Sequence, residues 1–129
     1  MKSNMIGWFE IPVKDMGRAV AFYNEVFQIK IAVHDFGELV MGWFPFGEDS
    51  EAKGASGSLV YHKGFYTPST EGTLVYFTSR TGDIKDELIR IEKAGGKILK
   101  PKTQISEDHG YMALFLDTEG NRVALHSMK

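Results

Sequence analysis

Residues 6 to 27 read IGWFEIPVKDMGRAVAFYNEVF, and the spacing of apolar side chains changes partway through. From Ile6 to Val13 the chain alternates. Phe9, Ile11 and Val13 fall on one face and Trp8, Glu10 and Pro12 on the other, the period-two pattern of a strand. After Asp15 the period becomes helical, with Met16, Ala19, Val20, Tyr23, Val26 and Phe27 recurring at intervals of three and four as one buried stripe. Asp15 stands where a carboxylate accepts hydrogen bonds from the first free amides of a helix. A strand running straight into an amphipathic helix is therefore expected.

Working outward, the segments IKIAVHDF (29–36), LVMGWFPF (39–46) and SGSLVYH (56–62) are rich in β-branched and aromatic residues and separated by glycine-bearing turns, so they read as a meander of three strands. The order then recurs. TLVYFTS (73–79) alternates as a strand, and DIKDELIRIEKAGG (83–96) sets Ile84, Leu88 and Ile91 on one helix face before Gly95 and Gly96 stop it. KILKPKTQI (97–105), YMALFL (111–116) and RVALHS (122–127) supply three more strands. A repeat of element order without repeat of identity points to a duplicated unit packed against its copy. The fold class is α+β, with two βαβββ modules at about 4–64 and about 72–129 in one domain. Between them HKGFYTPSTEG (62–72) is turn-rich, and GEDSEAKGASG (47–57) reads as a polar, Gly-rich loop that is expected to be mobile.

Composition narrows the function classes. The 129 residues suit one domain with a real core, and 15 Lys and Arg against 17 Asp and Glu leave a net charge of −2. That balance gives no reason to expect nucleic acid or an anionic membrane as partner. No apolar run is long enough for a signal peptide or a membrane span, so the expected location is the cytoplasm. Without cysteine there is no disulfide, no thiolate nucleophile and no Cys-type zinc site. Phosphate loops, HExxH and the serine nucleophile elbow are absent as well.

DTEGN (117–121) is a tight turn whose Gly120 can take positive φ and whose Asp117 can accept from backbone amides. Together with VKDMGRAVAFYNEVF in the first half and GGKILKPKT in the second, it resembles the vicinal oxygen chelate superfamily, the group of glyoxalases, bleomycin-resistance proteins and extradiol dioxygenases. The resemblance spans nearly the whole chain. It implies paired mixed sheets curled into a cup with the helices outside, homodimers, and a divalent metal held from the first and last strands of each module. Carried over to this chain, those metal positions are Trp8, Ser58, Leu74 and Ala124. Indole, isobutyl and methyl groups offer no lone pair to a cation, and one serine hydroxyl is a poor ligand. No metal and no other cofactor is therefore expected, and Trp8, Ser58, Leu74, Ala124 and Trp43 are expected to line a small-molecule site instead.

Period two sends Val123 and Leu125 toward the helices and Ala124 and His126 toward the cup. Two residues along each cup strand from the family positions lie Glu10, Val60, Tyr76 and His126. Glu10 is the candidate general base or anchor, His126 its partner, and Tyr76 a donor to a substrate oxygen. Two readings follow. One is a protein that binds a small organic molecule in the cup. The other, carried by the resemblance, is a metal-dependent lyase or isomerase of the lactoylglutathione lyase type with a displaced metal on Glu10 and His126. His34, His62 and His109 suit exposed or turn positions, and the lysines of KILKPK read as a solvated strand edge.

Overall fold

The computed structural model describes residues 3–47 and 52–129, so the centre of the polar loop after the third strand lies outside the described residues. The elements are β1 (Phe9–Pro12), α1 (Met16–Phe27), β2 (Ala32–Asp35), β3 (Leu39–Trp43), β4 (Gly57–His62), β5 (Tyr76–Thr78), α2 (Lys85–Ile91), β6 (Lys97–Ser106), β7 (Gly110–Leu116) and β8 (Arg122–Ser127). Each half of the chain makes its own four-stranded sheet, in the orders β1-β4-β3-β2 and β5-β8-β7-β6. In both sheets the first strand pairs parallel with the last, and the other pairs are antiparallel. The two βαβββ units expected from the sequence are both present.

The helix-facing sides of both sheets close over one core. Ile11, Val13 and Leu59 meet Ala19, Tyr23 and Val26 of α1, while Ala113, Phe115, Val123 and Leu125 meet Ile84 and Ile91 beside α2. Where the sheets approach, five rings interlock: Phe77 packs on Phe27 at 4.8 Å and on Phe9 at 5.6 Å, and Tyr23 meets Phe44 edge-on at 5.6 Å. Offset and edge contacts of this kind add to plain area burial. Phe22 falls outside the stripe read from the sequence and is nevertheless only 1% exposed. It is covered from the other module, its ring lying 6.0 Å from Phe115. Glu87 is likewise buried on α2, where one oxygen accepts from the Arg80 amide.

The halves are clasped by the DTEGN turn. Asp117 accepts from the amides of Glu119 and Asn121 within the turn, and also from the buried Tyr23 hydroxyl of α1 at 2.7 Å. Glu119 accepts from the Lys14 and Asp15 amides at 2.8 Å each and from Arg18 through Nε at 2.7 Å and Nη2 at 3.0 Å. Asn121 donates to the Pro12 carbonyl at 2.8 Å. The turn that closes β7 onto β8 thus caps the β1–α1 junction of the other module. Gly120, at φ 96, lets it fold tightly. Asp15 also caps its own helix by accepting from the Arg18 amide. In β6, Lys102 departs from the solvated edge expected for the lysine run: it pairs with Asp83 at 2.9 Å and lies over the Tyr111 ring.

Burial alone would raise the Glu119 carboxyl, but hydrogen bonds from Arg18, the Asp15 amide, Thr118 and the Lys14 amide outweigh it and hold the group at about 2, below its ordinary 4.5. A depressed carboxyl stabilises the fold fully above its unfolded value and loses that contribution as pH falls through the folded one. Unfolding midpoints should therefore drop between pH 4.5 and 2, and Glu119→Gln should flatten that slope. At neutral pH Glu119→Ala should lower stability in urea unfolding, because it removes the acceptor shared by the Lys14 and Asp15 amides and the Arg18 guanidinium.

Candidate functional site

A cavity of about 710 Å³ opens between β1 and β5, walled by Trp8 and Glu10 from the first module and by Leu74, Tyr76 and Arg122 from the second. The strand alternation at β1 puts Phe9 and Ile11 into the core and leaves Glu10 exposed. Residues on both approaches complete the walls: Asn4 and Ile6 ahead of β1, and Thr67 and Ser69 in the link ahead of β5. Trp8 is 37% and Tyr76 52% exposed, so two aromatic faces are presented to whatever enters.

Glu10 has a partner that the sequence did not disclose. The Tyr66 hydroxyl donates to its Oε1 at 2.5 Å, and this bond, followed by partial burial and the carboxylate's charge, raises the Tyr66 phenol above its usual 10. Tyr66 belongs to HKGFYTPSTEG, whose turn residues suggested only a connection. The legible hint was an aromatic pair, Phe65 and Tyr66, in an otherwise polar link. His62 steadies the same segment, accepting from the Gly64 amide at 3.0 Å and packing against Phe65. Farther along, the Ser69 amide donates to Asn121. The link between the modules is therefore a wall of the cavity.

The other expected site residues lie elsewhere. His126 pairs with Thr78 in register and is not among the cavity residues. Its Nε2 lies 2.6 Å from the His109 carbonyl, which can only accept, so that nitrogen carries the proton. Ser58 and Ala124 are fully buried, and the Ser58 hydroxyl donates to the Leu59 carbonyl. Trp43 backs Trp8 edge-on at 6.2 Å without reaching the cavity. His34 lies on the edge strand β2 as expected but is half-buried, its ring resting on Trp43 at 4.3 Å. Trp8, Glu10, Leu74 and Tyr76 are brought together, and His126, Ser58, Ala124 and Trp43 are not part of that group.

The sequence profile of the glyoxalase/bleomycin resistance protein/dioxygenase superfamily matches residues 5–125. The chain belongs to this superfamily. No curated protein matches it by sequence. Among solved structures it is similar to a glyoxalase/bleomycin resistance/dioxygenase domain from Frankia sp. EAN1pec, at TM-score 0.71 and 16% identity over 98% of both chains. It is similar to TnmS3, an antibiotic binding protein from Streptomyces sp. CB03234, at TM-score 0.66 and 21% identity, again over 98% of both. It is also similar to a glyoxalase I mutant from Zea mays at TM-score 0.68 and 19% identity, covering 95% of this chain but only 45% of that one. Identities this low carry the fold alone.

Superfamily membership raises the question of a metal, and the residues at its usual positions do not fit one. Trp8, Leu74 and Ala124 have no donor atom suited to a cation, and the Ser58 hydroxyl is enclosed and already bonded. Among the described residues no three His, Asp or Glu side chains are grouped as ligands. Glu10 and His126, the pair considered for a displaced site, are each engaged elsewhere, with Tyr66 and with the His109 carbonyl. The Tyr66 phenol should titrate above an ordinary tyrosine, and Glu10→Gln should bring it back down in an ultraviolet titration, with Tyr66→Phe identifying the signal.

Proposed function

We propose that this superfamily member binds a small organic molecule in the cavity between β1 and β5, without the metal that the fold often carries. The supporting observation is the cavity itself. Its 710 Å³ lies within the roughly 300–1,000 Å³ of small-molecule sites. Its walls are mainly apolar, with a few polar groups placed to orient a guest. Trp8 and Tyr76 offer flat faces, Leu74 the apolar floor, Glu10 an anchor whose second oxygen has no partner among the described residues, and Tyr76 a phenol donor. In this reading Glu10 and Tyr76 orient the ligand, and His126 shapes the hairpin at the far end of the sheet. The likeness to an antibiotic binding protein at 21% identity agrees with binding as the activity.

The test is a thermal-shift screen of organic compounds beside Ni²⁺, Zn²⁺ and Fe²⁺. Organic ligands should stabilise the protein, and Leu74→Trp, which fills the cavity, should weaken their binding at least tenfold, as should Trp8→Ala. Stoichiometric metal in the purified protein, with ligand binding that depends on it, would overturn the reading in favour of a lyase or isomerase.

We also propose that the chain works as a homodimer. The reading rests on the superfamily resemblance, and Ile6, Phe36, Phe46 and Phe65, each 60% or more exposed, are apolar side chains that a second copy would cover. Sedimentation should give twice the 14.5 kDa chain mass.

A further inference from the structure

The cavity holds a second charged group, Arg122. It opens β8, is half-buried, and has no ion-pair partner among the described residues. Its place is set by its neighbour, since Asn121 donates to the Pro12 carbonyl at 2.8 Å and pins the start of β8 beside the end of β1. Leu74, which precedes β5, lies on the same stretch of wall. Glu10 lies two residues back along β1 from Pro12, a strand distance of about 7 Å. Glu10 and Arg122 therefore share one cavity, carry opposite charges and form no ion pair with each other. Tyr66 occupies one oxygen of Glu10 from the link side, which turns selection toward the other.

From this arrangement we infer that the cavity selects a dipolar, flat organic molecule, with a cationic or N–H end on Glu10 and a carboxylate or carbonyl end on Arg122. The inference rests on the binding reading above and adds the chemical class of the ligand. The argument is one of desolvation. A guest with neither a donor nor an acceptor group covers both charges and pairs neither, and a guest with only one of the two strands the other, so each is penalised for what it leaves unpaired. A guest carrying both groups satisfies both. A guanidinium suits the acceptor end because its fork can take two oxygens at once. Trp8 and Tyr76 suit the body, and an aromatic face beside a carboxylate also favours a cationic ring.

Isothermal titration with three arenes of nearly equal shape tests this: the zwitterion 1-methylquinolinium-3-carboxylate, the cation 1,3-dimethylquinolinium and the anion 2-naphthoate. The zwitterion should bind wild type about tenfold more tightly than either singly charged probe. Glu10→Gln should weaken the zwitterion and the cation by about that factor and spare the anion. Arg122→Gln should weaken the zwitterion and the anion and spare the cation. Thermal melts of both variants check that they fold as wild type does. If all three probes bind alike to wild type and to both variants, the dipolar inference fails while the binding cavity stands. If none binds wild type while unrelated uncharged compounds do, the inference fails in the same way. If no organic compound binds at all, both readings fall together.

Discussion

The carboxylate of Glu119 is the joint on which this architecture turns. The helix-facing sides of both four-stranded sheets contribute to one shared core, so the two halves must be held in place against each other. Glu119 does this from a hairpin turn of one module by taking two backbone amides and a guanidinium at the helix start of the other. These groups would be left without partners at a strand-to-helix junction. Asp117 adds a bond to a tyrosine hydroxyl buried in the core. Asn121, donating to the Pro12 carbonyl, ties the start of β8 in one sheet to the end of β1 in the other, and the cavity lies between β1 and β5.

Most of the fold could be read from periodicity. The change from period two to period three-and-four at Val13–Met16, and its repeat near Ser79–Ile84, were enough to order the ten elements, because one-sided burial imposes those periods. Two features escaped for the same physical reason. Phe22 is covered by Phe115 of the other module, and Glu87 turns inward to accept from the Arg80 amide ahead of its helix, so the apolar period of neither helix contains a trace of that burial. DTEGN was legible as a turn through its glycine and aspartate. Its reach into the other module was not, since that depends on a packing partner about a hundred residues away.

The site was legible in part. Counting two residues at a time along β1 and toward β5 singled out Trp8, Glu10, Leu74 and Tyr76, and these four line one cavity. The same rule applied to β8 gave His126 the concave face but could not give its depth along the strand, and it ends against the His109 carbonyl. Tyr66 and Arg122 were missed because one sits in a link without periodicity and the other at the first residue of a strand. For Tyr66 the side-chain direction follows the backbone path of the link, whereas Arg122 lies two residues before Ala124 on the same face of β8 and is reached only by counting backward along that strand.

The segments leading into β1 and β5 both border the opening, one through Asn4 and Ile6 and the other through Thr67 and Ser69. The second is anchored at both ends, and the first continues toward the amino terminus. Anything fused ahead of residue 3 is thereby delivered to the mouth of the cavity. The opposite terminus is tied down near α2, where the Ser127 hydroxyl donates to the Lys129 carbonyl and accepts from the Ile84 amide. A purification tag or surface-immobilising handle is best placed on that carboxyl end, whose residues do not border the opening.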